Sequence, residues 1–591
     1  MADDDATPGQ VAPLPNLDQN LRQGDSLLSP LDLARVASRT VHTPRLSRVA
    51  EQRAAYFAAT GKEKTAIARS IRRLERDIAI ETTDTAITVL TSRLTDAAGA
   101  VGPDLFGERR RRSRTEVVQV QRWRAQRREL LAVRRRIGAD DALPFFAFDV
   151  HFGEVLAAHG FDVVLGNPPW VRGERLPASA RIALARQYET FRAATALPRQ
   201  RFAHLPDLAV AFVERALRLT KPGGVVAMTL PSKLLRAGYA GPLRAMIRRA
   251  ATVLRIDDRA HGPGSGFDAT VFPSIWVMRR AEPGGDAQAT VAVAAASGIM
   301  LSGSARQDEL ALDDQDARAP WLALPGATLQ ALRRAIGAGP ALAQVFRPCL
   351  GVKTGANDVF LRTLDTAAEL PLECRVPAIL GRDVAPFRID PSGALLAALD
   401  QHGRPLAQTP ESVRRYLTPH AARLRRRSDA RGEPLWALFR TDLLTARWIV
   451  LWRDIAGKLE AAVLERGNAS RPVPLNTCYG VAVPDRFTAS WLAAWLNSAP
   501  ARAMAAALAE RASGGAFRFN ATTVGRLPLP ADTSSGSVRA LAQLGELAAS
   551  MEWSQHDLDA IAADALGLDG ATADELRRLG LALCRSADGH R

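Results

Sequence analysis

The sequence predicts an α/β fold on a mostly parallel sheet, with a helical insertion and a separate α+β region after it. Three observations predict this. Between residues 145 and 280, short buried-type strands alternate with amphipathic helices, the pattern of crossover helices on a sheet. From about 31 to 138 the chain is helical in period and nearly free of breakers. Beyond about 340 it turns to short apolar runs, many turns and three Trp-bearing patches, "EPLWALF", "RWIVLWRDI" and "SWLAAWLNS". At 591 residues there is room for roughly two to four domains.

In chain order, residues 1–30 read as a loose leader and one strand. That strand, within "NLRQGDSLLSP" (20–30), breaks at Gly24-Asp25 as a strand end would. Residues 31–140 form the helical insertion. Its basic run "ERRRRSRTEVVQVQRWRAQRRELLAVRRR" (108–136) reads either as a solvated helical hairpin or as a DNA-backbone contact. Within 141–285, "FDVVLG" (161–166) is a buried-type strand. "LAVAFVERALRLTKPGG" (208–224) is an amphipathic helix closed by Pro-Gly-Gly. "VVAMTLP" (225–231), "VLRIDD" (253–258) and "VFPSIWVM" (271–278) are further strands, and "AGPLRAMIRRA" (240–250) a further helix. Residues 286–340, rich in Ala and Gly, read as a connector, 341–535 as the α+β domain and 536–591 as a helical tail.

Composition narrows the function classes. A hydrophobic share of 47% supports packed cores, and no run of about 18 uncharged apolar residues is present to span a membrane. The start "MADDDATPGQ" is acidic and lacks a secretory pattern. Four cysteines (Cys349, Cys374, Cys478, Cys584) without metal-ligand spacing point to a reducing, cytoplasmic setting and no structural metal. A net charge of +16 points to a polyanionic partner, nucleic acid first, although an Arg-favouring genome would supply part of the excess.

The stretch with chemistry is "GFDVVLGNPPWVR" (160–172). In open α/β sheets, ligands bind at the carboxyl ends of strands, where "FDVVLG" delivers Asn167. Pro168 and Pro169 have fixed φ and no N–H, so the loop is stiff and its carbonyls are free to accept. The Asn167 amide oxygen and the Pro168 carbonyl together suit the two hydrogens of an NH₂ group, and Trp170 offers a face for its ring. An amine held this way loses conjugation and presents a nucleophilic lone pair. The plainer alternative is a tight loop around a core Trp.

This motif resembles the [Asn/Asp]-Pro-Pro-[aromatic] signature of DNA N6-adenine methyltransferases. "GDSLL" (24–28) is similar to the family's motif beside the cofactor adenine. "PDLAVAFVERALRLTKPGGVVAMTLPSKLL" (206–235) and "GFDATVFPSIWVM" (266–278) resemble the elements that follow the catalytic loop. "GVKTGANDVF" (351–360), "LGRDVAPF" (380–387), "RWIVLWRDI" (447–455), "WLNS" (495–498) and "RLPLP" (526–530) resemble the target-recognition region of large fused enzymes, the type IIG and BREX- or DISARM-like phage-defence methyltransferases.

The resemblance implies a Rossmann-like methyltransferase sheet, partial at its N-terminus, with a C-terminal target-recognition domain. It also implies S-adenosyl-L-methionine as cofactor and double-stranded DNA as partner, with the target adenine flipped out of the duplex. By position, Asn167 and Pro168 would hold N6, with Pro169 stiffening the loop. Trp170 and Phe267 would stack on the base, and Asp25 would lie at the cofactor. Lys353, Thr354 and Asn357 would begin the recognition domain. Arg518 and Asn520, in "GGAFRFNATTVGRLPLP" (514–530), are of the types that read guanine and adenine edges.

One departure stands out. The family's Gly-rich cofactor loop, ahead of "GDSLL", has no counterpart in the roughly 20 residues there, and "HGPGSGFD" (261–268) leads into a strand instead of a helix. A second chain carrying that loop is the expectation. The alternatives are a recognition subunit without catalysis of its own, or an amino-methyltransferase acting on another substrate. The plainer alternative for Thr354-Gly355-Ala356-Asn357, beside the start of a recognition domain that the resemblance implies, is a hairpin turn. Asp207 reads as a helix cap, and His151, His204 and His261 as fillers.

Overall fold

The computed structural model describes residues 16–31, 43–99, 113–137, 143–196, 205–259, 272–294, 300–313, 315–316, 318–400, 402–430, 432–467, 471–512 and 515–584. The chain forms two compact units, residues 1–228 with 278–282, and residues 229–277 with 283–591.

In the first unit, helices α1 (Thr43–Ala58), α2 (Gly61–Gly99) and α3 (Arg114–Arg136) make up the insertion. At about 1.5 Å per residue α2 is about 58 Å long. It is lined antiparallel by α3. Ile78 clusters with Val133, Ala86 and Leu90 with Leu130, and the Arg93 guanidinium lies 6.0 Å from the Trp123 ring centre. Ser113 and Glu116 start α3 with a reciprocal capping box. The apolar seam is narrow and most arginines of α3 face solvent, so a helical hairpin is present from 113 onward, and its exposed arginines fit solvation and a DNA-backbone contact alike. Residues 108–112 lie outside the described ones.

Strand β1 (Phe161–Gly166) pairs in parallel with β2 (Thr220–Pro231). Pro222-Gly223-Gly224 does not close the preceding helix, as the sequence suggested. That helix, α4 (Ala209–Leu219), ends earlier, where Thr220 Oγ1 donates to the Ala216 carbonyl at 2.8 Å. The glycines instead bulge inside β2. Register jumps between Phe161↔Thr220 and Val163↔Val225, and Gly223 sits at φ +80°. A Cβ on Gly224 would lie 2.8 Å from the Asp162 carbonyl oxygen, so this position admits only glycine.

The second unit contains α5 (Gly241–Ala250), β3 (Thr252–Asp258), β5 (Gln288–Ala294) and β6 (Met300–Arg306), and most of β4 (Pro273–Arg279). The sheet runs β1-β2-β4-β3-β5-β6, with β3 and β5 parallel and β5 and β6 antiparallel, giving a Rossmann-like mixed α/β architecture. The expected connector at 286–340 is therefore corrected: its first third is sheet. Its small residues reflect close packing. A Cβ on Gly303 of β6 would lie 3.1 Å from Pro325, which leads the helix Gly326–Ile336. Trp276 of β4 stacks on Trp321, centroids 5.8 Å apart, both fully buried. Arg244 of α5, 1% exposed, donates to the carbonyls of Leu234, Ala237, Arg318 and Ala319.

Later in this unit are two four-stranded sheets. One orders the strands Ala461–Glu465, Trp448–Arg453, Cys478–Val483 and Cys349–Leu350. The other orders Val473–Pro474, Arg375–Ile379, Gly393–Leu396 and Leu361–Thr363. Helices Gly536–Leu547, Gln555–Ala565 and Gly570–Leu583 pack with Arg486–Asn497 and Ala499–Leu508. The first contact is so close that a Cβ on Gly545 would meet the Ser490 carbonyl oxygen at 2.3 Å.

Candidate catalytic loop and recognition elements

The Asn-Pro-Pro-Trp segment leaves β1 directly. Gly166, the last strand residue, pairs with Met228, and Asn167 follows it exposed. Neither proline can donate to a ladder, so the strand stops here. Pro168 is buried, Pro169 exposed and Trp170 half-buried. The far side of the loop is tied down. The Leu208 N–H donates to the Val171 carbonyl at 2.9 Å, and a Cβ on Gly173 would come within 2.6 Å of the Pro206 carbonyl oxygen. Asp207, 1% exposed, accepts from the Ala209 N–H at 3.2 Å and so acts at the start of α4. Among the described residues no hydrogen bond engages the Asn167 side chain, and an exposed amide on a fixed loop remains available to a ligand.

The stretch around Asp25 corrects the sequence reading: residues 16–31 form turns and bends, with no strand. The Asp25 Oδ1 accepts from the N–H groups of Leu27 (2.9 Å) and Leu28 (3.0 Å), an Asx-type turn that takes the donors a strand would use. A Cβ on Gly24 would fall 2.2 Å from Phe146 Cβ, so only glycine lets these segments meet. They enclose a cleft of about 330 Å³ lined by Gln23, Gly24, Asp25, Leu143, Phe145 and Phe146 among others. The aromatic run "PFFAFDVHF" (144–152) was the available sequence signal for this second wall.

His151 in that run is 6% exposed and stacks on Phe146 at 5.2 Å. Burial pushes its imidazole down to about 4. Beside it, Arg53 bonds Glu75, Glu154 and the His151 carbonyl, and Arg22 bonds Glu75 at 2.5 Å. This buried network fastens the segment before Gly24 to α1 and α2.

The recognition candidates fall into two places in the second unit. Lys353, Thr354 and Asn357 belong to one turn, but not to a hairpin. After Gly355 (φ +70°) the chain makes one helical turn (Asn357–Phe360), and the strands on either side enter different sheets. Thr354, 1% exposed, is a turn former whose Oγ1 accepts from the Ala356 N–H and donates to Asn357 at 2.5 Å. Lys353 pairs with Asp429 at 2.5 Å, and Asn357 is exposed. Elsewhere, Arg518 is exposed and 3.9 Å from Asp454. Asn520 caps the helical turn Ala521–Val524, its oxygen accepting from Thr522 and Thr523, which leaves only its NH₂ for another partner. Phe267, His204 and His261 lie outside the described residues. Among the described residues no group of His, Cys, Asp and Glu is placed to hold a metal, and no helix is long and apolar enough to cross a membrane.

Residues 80–261 match the family model of the Eco57I restriction-modification methylase. The match takes in α3, β1, the Asn-Pro-Pro-Trp loop and β2. The chain is similar to the type II methyltransferase M.PaeR7I of Pseudomonas aeruginosa, 26% identical over 392 residues, 63% of this chain and 64% of that protein. It is also 27% identical over 396 residues to M.XhoI of Xanthomonas vasicola, 63% of this chain and 69% of the relative. The alignment thus spans less than two thirds of the first relative. Among solved structures, the type IIL restriction-modification enzyme MmeI in complex with DNA aligns at TM-score 0.49 and 11% identity, over 71% of this chain and 56% of that one.

Proposed function

We propose that this chain is the catalytic and DNA-recognition part of an S-adenosylmethionine-dependent adenine-N6 DNA methyltransferase of a restriction-modification or phage-defence system. The observation that carries the reading is Asn167: an exposed amide with no bond to the described protein, leaving a sheet strand on a loop stiffened by two prolines. The similarity to type II methyltransferases and to the Eco57I methylase family supports the same class.

In the reading, the adenine leaves the duplex, at a cost of a few kcal/mol. Asn167 Oδ1 and the Pro168 carbonyl accept its two N6 hydrogens while Trp170 lies against the ring. Held so, N6 gains tetrahedral character and presents a nucleophilic lone pair. The cofactor when bound supplies an electrophilic methyl on a sulfonium. Transfer would form the N–C bond as the sulfonium S–C bond breaks, and N6 would then release a proton past Asn167 Oδ1 and the Pro168 carbonyl to water. The cleft beside Asp25 fits the adenosine end of such a cofactor: one carboxylate oxygen is left over by the Asx turn, and Phe145 and Phe146 provide apolar wall.

For the methionine end we infer a second chain. β1 ends the sheet order and has β2 as its one strand partner among the described residues, and Val163 and Leu165 are 53% and 75% exposed. Parallel sheets normally have both faces covered. A strand and helix bearing the Gly-rich loop would complete this edge, with that loop on the same side as Asn167. The test is methyl transfer to duplex DNA by the purified chain with and without the protein encoded beside it, using Asn167→Ala as control. Normal transfer by Asn167→Ala overturns the catalytic assignment. DNA binding without transfer in any combination favours a recognition subunit instead.

A further inference from the structure

The second unit has a buried arginine that forms no ion pair among the described residues, Glu433 and Asp429 acting on it only electrostatically. Arg427, 7% exposed, donates to the carbonyls of Leu424 (3.0 Å), Thr354 (2.8 Å), Ala437 (2.8 Å) and Leu435 (3.0 Å). Its guanidinium lies 5.3 Å and 4.9 Å from the ring centres of Phe360 and Phe439. The Lys353 and Phe439 backbones exchange two bonds of 2.9 Å, and a Cβ on Gly355 would already sit 3.0 Å from Arg427 Cδ. Three separate stretches, 353–357, 424–429 and 435–439, are thereby locked into one element.

That element carries a local excess of positive charge. Arg423 is held by Asp358 and Lys353 by Asp429. Arg425 and Arg426, between buried Leu424 and buried Arg427, are exposed and have no carboxylate partner among the described residues. Adjacent surface arginines are often no more than solvated. Here, however, their backbone is fixed on both sides, neighbouring cations are neutralised while these are not, and exposed Asn357 belongs to the same locked element.

We propose that Arg425 and Arg426 contact duplex-DNA phosphates and hold the Lys353–Asn357 turn against the duplex, on a frame set by Arg427. The proposal rests on the reading of the chain as a DNA-binding protein. Phosphate contacts position a protein on the duplex, and each releases counterions, so each adds about 0.9 to the slope of log affinity against log salt.

The experiment measures binding of the full chain to a fluorescent duplex over a salt series, with R425A/R426A and, as control, R577A/R578A on helix Gly570–Leu583. We expect R425A/R426A to lower the slope by about 2 and to weaken binding at low salt by about tenfold or more, whatever the duplex sequence. Its melting temperature should stay unchanged, because both side chains are exposed. The control should bind like the unaltered chain. If the unaltered chain binds and R425A/R426A matches it in slope and affinity, the proposal fails while the DNA-binding reading stands. If the unaltered chain binds no duplex, both fall.

Discussion

Asn167 and His151 are two polar side chains of the first unit with opposite environments, and they lead to separable measurements. Asn167 is exposed, and no bond to the described protein holds its amide, so truncating it removes nothing from the fold. Asn167→Ala should lower methyl transfer by about 100- to 1000-fold, the usual effect of deleting one preorganised hydrogen-bond partner, with duplex affinity and melting temperature unchanged. His151 is buried, and its pKa falls from 6.5 to about 4. The unfolded chain therefore binds this proton first as pH falls. Stability tied to the neutral ring is complete above about pH 6.5 and drains between there and pH 4, by about 3 kcal/mol in all. His151→Gln should flatten that part of a melting-temperature profile between about pH 7.5 and about pH 5. An equally steep profile in the variant would assign the acid sensitivity to other groups.

At the scale of elements, the α2–α3 hairpin owes its far half to few contacts, and Leu130 is fully buried there against Ala86 and Leu90. Leu130→Ala should cost about 2–5 kcal/mol locally. Hydrogen exchange should speed up at residues 84–95 and 123–134 and stay unchanged at β1; a uniform rise across the chain would contradict an independently opening hairpin. The hairpin, β1 and the end of that strand at Asn-Pro-Pro-Trp were legible because each has a local cause: helical period, an apolar run, and prolines that end a strand. Other elements were not. β5 and β6 hid behind alanines whose small size suits a closely packed helix. The Gly24–Asp25 turn mimics a strand in its apolar alternation while Asp25 takes the backbone donors. Lys353–Asn357 looked like a hairpin because its folding depends on Arg427, some 70 residues away, which no local pattern reveals.

For the whole molecule, the net charge of +16 suits a polyanionic ligand, but the β1 edge is the more specific feature. A strand edge without a second partner among the described residues, beside exposed Val163 and Leu165, invites pairing between copies. Val163→Lys with Leu165→Lys should raise the monomer fraction of the isolated chain in sedimentation, and should also abolish any methyl transfer that the neighbouring protein restores. Restored transfer by that variant would place the second chain elsewhere. The lock around Arg427 has a different consequence. Its four acceptors are main-chain carbonyls, which every amino acid has. Substitutions at Leu435 or Ala437 keep the acceptor, so the frame survives drift in the residues around it. Exposed side chains carried on such a frame can change one after another without the support beneath them being rebuilt.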